Sequence, residues 1–207
     1  MRIPGFLSGC LFAVVSVAAV AQDSSKAGGS RAGIEIVELI TRYAKSSGRP
    51  VMIDPRVRSD VLITGVDPAR LSYEQLLAIL DQHQFAAIEG GGMLAIVPDA
   101  NARQLPSPIY SDAGFKALDH ELVTLLVRPK KVCASYLVPV LRPLMPQAAH
   151  LAAEIQTNML IISDRAGNAR RIAALVAQID QSGEGKKECP SPGGFVTSAP
   201  APAKPAG

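Results

Sequence analysis

The sequence contains no tryptophan, and aromatic residues make up only 4% of it. Platforms for base stacking and large aromatic anchors are therefore scarce. A dominant charge is missing too, since 21 Lys and Arg face 18 Asp and Glu over 207 residues. That balance is not the footprint of a polyanion binder. The three histidines, His83, His120 and His150, stand singly, and no His-x3-His or Cys-x2-Cys pair occurs. The common metal spacings are thus excluded, and each histidine reads as a surface or half-buried residue. No Gly-x-Ser-x-Gly elbow and no phosphate loop followed by Lys-Ser/Thr is present. Gly90 to Gly92 lie between two apolar segments, where a hairpin turn accounts for them; a phosphate cradle would need a helix N-terminus next. Asp54, Asp60 and Asp67 sit where turns are needed. The expectation is a protein with no catalytic residue, no cofactor, no metal and no small-molecule substrate.

What is present begins with an export signal. Met1 and Arg2 carry positive charge, Phe6 to Ala21 is apolar or small, and Ala19-Val20-Ala21 has the small-x-small pattern of a cleavage site. The run is shorter than the roughly 20 clearly apolar residues of a membrane span. A signal peptide over 1–21, cut between Ala21 and Gln22, and a periplasmic destination are expected. Leu7-Ser8-Gly9-Cys10 offers an alternative, lipidation at Cys10, at the expense of leaving Leu11 to Ala21 on the mature chain. Removing 1–21 takes away Arg2 and leaves 20 basic against 18 acidic side chains. Cys133 and Cys189 then remain, and an oxidising compartment allows them to pair. Cys189 lies in a segment without core-forming residues, so the pairing stays open.

Residues 22–33 are rich in Ser, Gly, Ala and Lys and read as a flexible leader. Residues 182–207, ending Ala-Pro-Ala-Pro-Ala-Lys-Pro-Ala-Gly, cannot bury a core and read as a disordered tail. Between them lie two blocks, 34–103 and 119–181, joined by a Pro-containing linker over 104–118. In the first, Ile36, Leu39, Ile40 and Tyr43 recur at helical spacing with Gly48 as a stop. Val51 to Ile53 and Val61 to Thr64 read as strands, and Ser72-Tyr73-Glu74-Gln75 as a capping box opening a second helix. Phe85 to Ile88 and Leu94 to Val97 then form a hairpin. In the second, a strand over Glu121 to Val127 precedes a helix over Val132 to Leu141, which Pro139 and Pro143 should end early. Strands over Leu151 to Ile155 and Met159 to Ile162 follow. Asp164 is the expected N-cap of a last helix with Ile172, Leu175, Val176 and Ile179 inside and Arg170 and Arg171 outside. The fold class is α+β, two small tandem α/β domains, the second of βαββα order.

These residues resemble a known family. Gly48-Arg49-Pro50-Val51-Met52-Ile53-Asp54-Pro55-Arg56-Val57-Arg58, Leu71 to Leu77 and Gly91 to Ala100 look like the first N-terminal domain of type II secretion secretins. Leu137 to Leu144, His150 to Ala153, Asn158 to Arg165 and Asn168 resemble the next domain of those proteins. The resemblance runs from about Ile34 to Asp180. It implies a signalling-type domain followed by a ring-forming domain of KH-like topology, with protein partners in the secretin ring or the inner-membrane platform and weak self-association. The family's first strand is expected to be replaced here by the leader. No strand alternating in the manner of a membrane barrel follows Asp180, so the expectation is an accessory to type II secretion rather than the channel. An adaptor for another envelope system, such as a type IV pilus or a TonB-type signalling partner, is the alternative. The KH-like order does not bring nucleic acid with it, because 142–149 and 156–158 contain no glycine for a phosphate-gripping loop. The strand Val61, Leu62, Ile63 and Thr64 is the candidate partner-binding edge, by β-addition.

Overall fold

In the computed structural model, residues 33–183 and Cys189 are described. The signal peptide, its cleavage point at Ala21 and Gln22, Cys10, most of the leader and the tail beyond Gly183 apart from Cys189 lie outside the described residues. The first module opens with β1 (Ile34–Glu35) and α1 (Ile36–Ser47). Ile36, Leu39, Ile40 and Tyr43 of α1 are buried, one face of a 3.6-residue period. The helix stops at Gly48, whose φ of 68° is the left-handed conformation that glycine adopts without a Cβ clash. Then come β2 (Val51–Ile53), β3 (Asp60–Val61) and α2 (Tyr73–Gln82). The capping box on α2 forms in full: Gln75 N donates to Ser72 Oγ at 3.1 Å and Ser72 N to Gln75 Oε1 at 2.9 Å.

Next are β4 (Phe85–Gly90), β5 (Met93–Pro98) and the short α3 (Asp99–Ala102). The β4–β5 turn has φ of 59° at Gly91 and 75° at Gly92, the two positive values a two-residue type I′ hairpin requires. β5 lies between β4, antiparallel, and β2, parallel. Phe85, Ala87, Leu94 and Ile96 bury one face of this sheet against α1 and α2. Its other face, at Ala86 and Ile88, is closed by Ala102 of α3 and by Leu122 of the second module.

Two short strands depart from expectation. A two-residue strand that the sequence did not announce, β1, precedes α1 and pairs antiparallel with β3. The strand expected over Val61–Thr64 is instead Asp60–Val61. The described ladder between β1 and β3 has two pairs, Ile34 with Val61 and Glu35 with Asp60.

The second module has β6 (Ile109–Tyr110), β7 (Leu122–Val127), α4 (Ala134–Leu141), a 3-10 turn (Arg142–Leu144), β8 (His150–Glu154), β9 (Met159–Arg165) and α5 (Ala166–Ser182). The sheet order is β6-β7-β9-β8. The segment 104–118, expected to be a linker, therefore supplies an edge strand, with β6 parallel to β7. Val123, Leu125, Leu160 and Ile162 on one sheet face meet Leu137, Leu141, Ile172 and Val176 of the helices in a separate core.

Pro139 does not end α4 early. It lies inside the helix, and the apolar face of Ala134, Leu137 and Leu141 holds the last turn in place although Pro139 has no N–H to donate. The last helix is not capped by Asp164 either. β9 continues through Asp164 to Arg165, Arg165 is the N-cap residue, and Ala166 N instead donates to Glu121 O at 2.8 Å.

Two distant side chains shape the loop before α4. The Asp180 carboxylate accepts backbone N–H groups of Lys130, Lys131 (2.7 Å) and Val132 (3.0 Å). Asn158, at φ 55°, accepts from Ala134 N and donates to Pro129 O and Val132 O. Burial pushes the Asp180 carboxyl up, but the three backbone donors outweigh it and hold it below its ordinary value. The unfolded chain then binds the proton more readily, so this contribution is complete above the ordinary carboxyl value near ~4 and is lost as the pH falls through the native value. Asp180→Asn is expected to cost about 1–3 kcal/mol in urea denaturation at pH 7. The gap from wild type should narrow as the pH is lowered below ~4; a gap independent of pH would contradict a charged acceptor.

Candidate protein-interaction site and the junction between the modules

Val61 is buried, Leu62 is 55% exposed, Ile63 packs partly against the first core and Thr64 is exposed. The four residues thus alternate inward and outward, but the edge available for strand addition is only Asp60–Val61. Other exposed apolar groups are larger in aggregate. Tyr136, Val140 and Leu144 are all exposed and recur every fourth residue along α4 and the turn after it, forming one outer stripe. Met52 on edge strand β2 and Ile109 on edge strand β6 are exposed as well.

The polar groups converge elsewhere, where the two modules meet. The Arg165 side chain is only 9% exposed. Its Nε donates to Asp81 Oδ1 at 3.0 Å, and its Nη2 donates to Asp99 Oδ1 at 2.5 Å and to Phe85 O at 2.9 Å. Nη1 lies 3.5 Å from His120 O. The other oxygen of Asp81 is 2.8 Å from His120 Nδ1. One guanidinium from β9 is therefore bonded to α2, β4 and α3 of the first module. Burial raises the Asp99 carboxyl above its ordinary value against the pull of Arg165. Burial likewise raises Asp164, which faces the second core and accepts from Arg165 N at 2.7 Å and from the Asn168 amide. A cleft of about 480 Å³ runs beside this node, lined in part by Asp81, Asp99, Arg103 and Gln147.

His120 thus partners a carboxylate, His83 Nδ1 is 2.7 Å from Ser59 Oγ, and His150 is exposed. Among the described residues no group of three or more His, Cys, Asp or Glu could hold a metal ion, and no helix is long and apolar enough to cross a membrane. The sequence reading missed Arg165. Its signal was the alternation Leu160, Ile162, Asp164, which carries the strand three residues past the apolar run to Arg165, on the opposite face.

Cys133 and Cys189 form a disulfide with Cα atoms 5.4 Å apart. Cys133, the N-cap residue of α4, is buried. The bridge therefore ties the chain after α5 back to the start of α4.

The architecture defines a class, tandem α/β modules that offer an exposed apolar stripe and strand edges but converge their polar groups on each other. Residues 31–96 match the family model described as "GspD-like, N0 domain", and residues 124–185 match "Bacterial type II/III secretion system short domain". The chain is 33% identical over 151 residues to the secretin XcpQ of Pseudomonas aeruginosa, covering 72% of this chain and 22% of that protein. It is 30% identical over 157 residues to the secretin PulD of Klebsiella pneumoniae, covering 73% and 24%. A solved Klebsiella pneumoniae type II secretion outer membrane complex of PulD, PulS and the PulC HR domain matches with a TM-score of 0.64 at 30% identity, over 76% of this chain and 27% of that one. The chain thus spans less than a quarter of the length of XcpQ. It carries the first two N-terminal domains of the type II secretion secretin family.

Closing a loop of this span by a disulfide stabilises by roughly 2–4 kcal/mol. Purified oxidised protein should show no thiol at Cys133 or Cys189 before reduction. The unfolding free energy from urea denaturation should fall by that amount, and the midpoint with it, on reduction or in Cys133→Ser. A midpoint unmoved by reduction would mean that the bridge does not constrain the fold.

Proposed function

We propose that this chain is a non-catalytic periplasmic protein–protein interaction module of type II protein secretion, acting as an accessory beside a secretin and contacting the secretin ring or the inner-membrane platform. The observation that carries the reading is that both modules match secretion-system domain models and that the chain superimposes on the Klebsiella complex over 76% of its length. That complex also contains the PulC HR domain, which makes an inner-membrane platform subunit the natural first partner to test. The physical surface agrees with protein recognition, since exposed apolar side chains line α4 and short strand edges are open. The polar side chains that converge at the junction are satisfied by one another.

The test is a periplasmic pull-down with the tagged chain, under native expression, read by mass spectrometry. Recovery of a platform subunit together with a separately encoded secretin is expected. Recovery of a platform subunit without any separate secretin would assign the modules to the channel itself and overturn the accessory role. Recovery only of pilus or TonB-type components would overturn the type II reading as well. Exchanging Tyr136, Val140 and Leu144 for Ser should abolish the secretin signal while the far-ultraviolet spectrum stays unchanged.

A further inference from the structure

The chain passes between the two modules at a single point. Up to Leu105 its backbone is bonded to the first module, with Gln104 N donating to Asn101 O and Leu105 N to Ala102 O. From Ser107 onward it is bonded to the second: Ser107 Oγ meets Thr124 Oγ1, Thr124 N donates to Pro108 O, and Gly167 N to Asp119 O. Arg170 fastens the rest of this stretch by donating to Ala117 O and Asp119 and by lying over the Phe115 ring at 5.0 Å. The covalent connection is therefore a pivot at Pro106, and a pivot alone does not set an orientation.

The apolar contribution to the junction is small, consisting of Leu122 against Ala86, Ile88 and Ala102, and Leu118 against the first core. Apolar contact is non-directional. The directional part is the Arg165 fork, which is planar and reaches acceptors on three elements of the other module at once. Swinging the modules apart would strand a nearly buried guanidinium or require water to replace every acceptor together.

We propose that Arg165, with Asp81 and Asp99 as its receivers, is a latch that holds the two modules as one rigid body, so that a load or partner acting on the first module moves the second. Without the latch the modules turn about Pro106. His120 acts as the second tooth, positioning Asp81 from the second module's side.

The experiment places spin-labelled non-natural residues at Lys45 in α1 and Gln178 in α5, both exposed, in the full chain, and reads their separation by pulsed dipolar spectroscopy. Wild type should give one narrow distance. Arg165→Met, and independently the pair Asp81→Ala and Asp99→Ala, should lose it in favour of several distances, while amide exchange protection at Leu80 and Leu160 persists within each module. Should Arg165→Met fail to fold, the receiver variant, which alters only the first module's side, decides the matter. A broad distribution in wild type, or a narrow one retained in a folded variant, overturns the latch.

Discussion

An arginine head group taken out of water loses several kcal/mol of hydration unless acceptors replace it in good geometry. Arg165 meets that condition only when the first module is complete. Asp81 is placed by the last turn of α2, Phe85 by the start of β4, and Asp99 by the chain turning out of β5 into α3. The arginine itself is aimed by the corner at which β9 becomes α5, and that corner is held by Glu121 O on the backbone of Ala166. Each module thus presents half of a site that is unfavourable alone. A buried ionic cluster of this kind adds little net stability over an apolar replacement. Its value lies in direction, because an apolar contact tolerates sliding and a three-acceptor fork does not.

The same division appears in β4. Phe85 to Ile88 are buried on both faces of the sheet, which is why the strand reads as an unbroken apolar run rather than an alternating one. One face belongs to the first core. The other needs Ala102 and Leu122, the second of these from across the junction. Burial of that second face and pairing of Arg165 are therefore satisfied by one relative placement, and the two requirements reinforce each other.

What was legible in the sequence follows the range of the forces involved. The faces of α1, α2 and α5, the capping box at Ser72 and the Gly91-Gly92 turn are encoded within a few residues of where they act, and all form. Both β1 and β6 are two residues long, and a strand that short exists only because a distant partner accepts it, Val61 for Ile34 and Thr124 for Ile109. Pro139 misled for a related reason. Its local preference against a helix interior is real, but the burial of Leu137 and Leu141 against the second core decides the outcome. The Arg165 node was the least legible feature, since its receivers lie 66 and 84 residues away, and the run Ser163-Asp164-Arg165 reads locally as the mouth of a helix.

These local and distant contributions bear on what the surface can do. In the function proposed above, recognition rests on exposed apolar side chains and strand edges, which confer little orientation on their own. Binding through such surfaces becomes specific when several of them are presented at fixed relative positions. The stripe on α4, the edge at β2 and the edge at β6 lie on different modules or opposite ends of one sheet. A pivot at Pro106 would let them bind independently and weakly, whereas a fixed junction requires a partner to fit more than one of them together. On the proposed latch, the buried arginine, itself part of none of these surfaces, is what turns generic apolar patches into a defined recognition geometry.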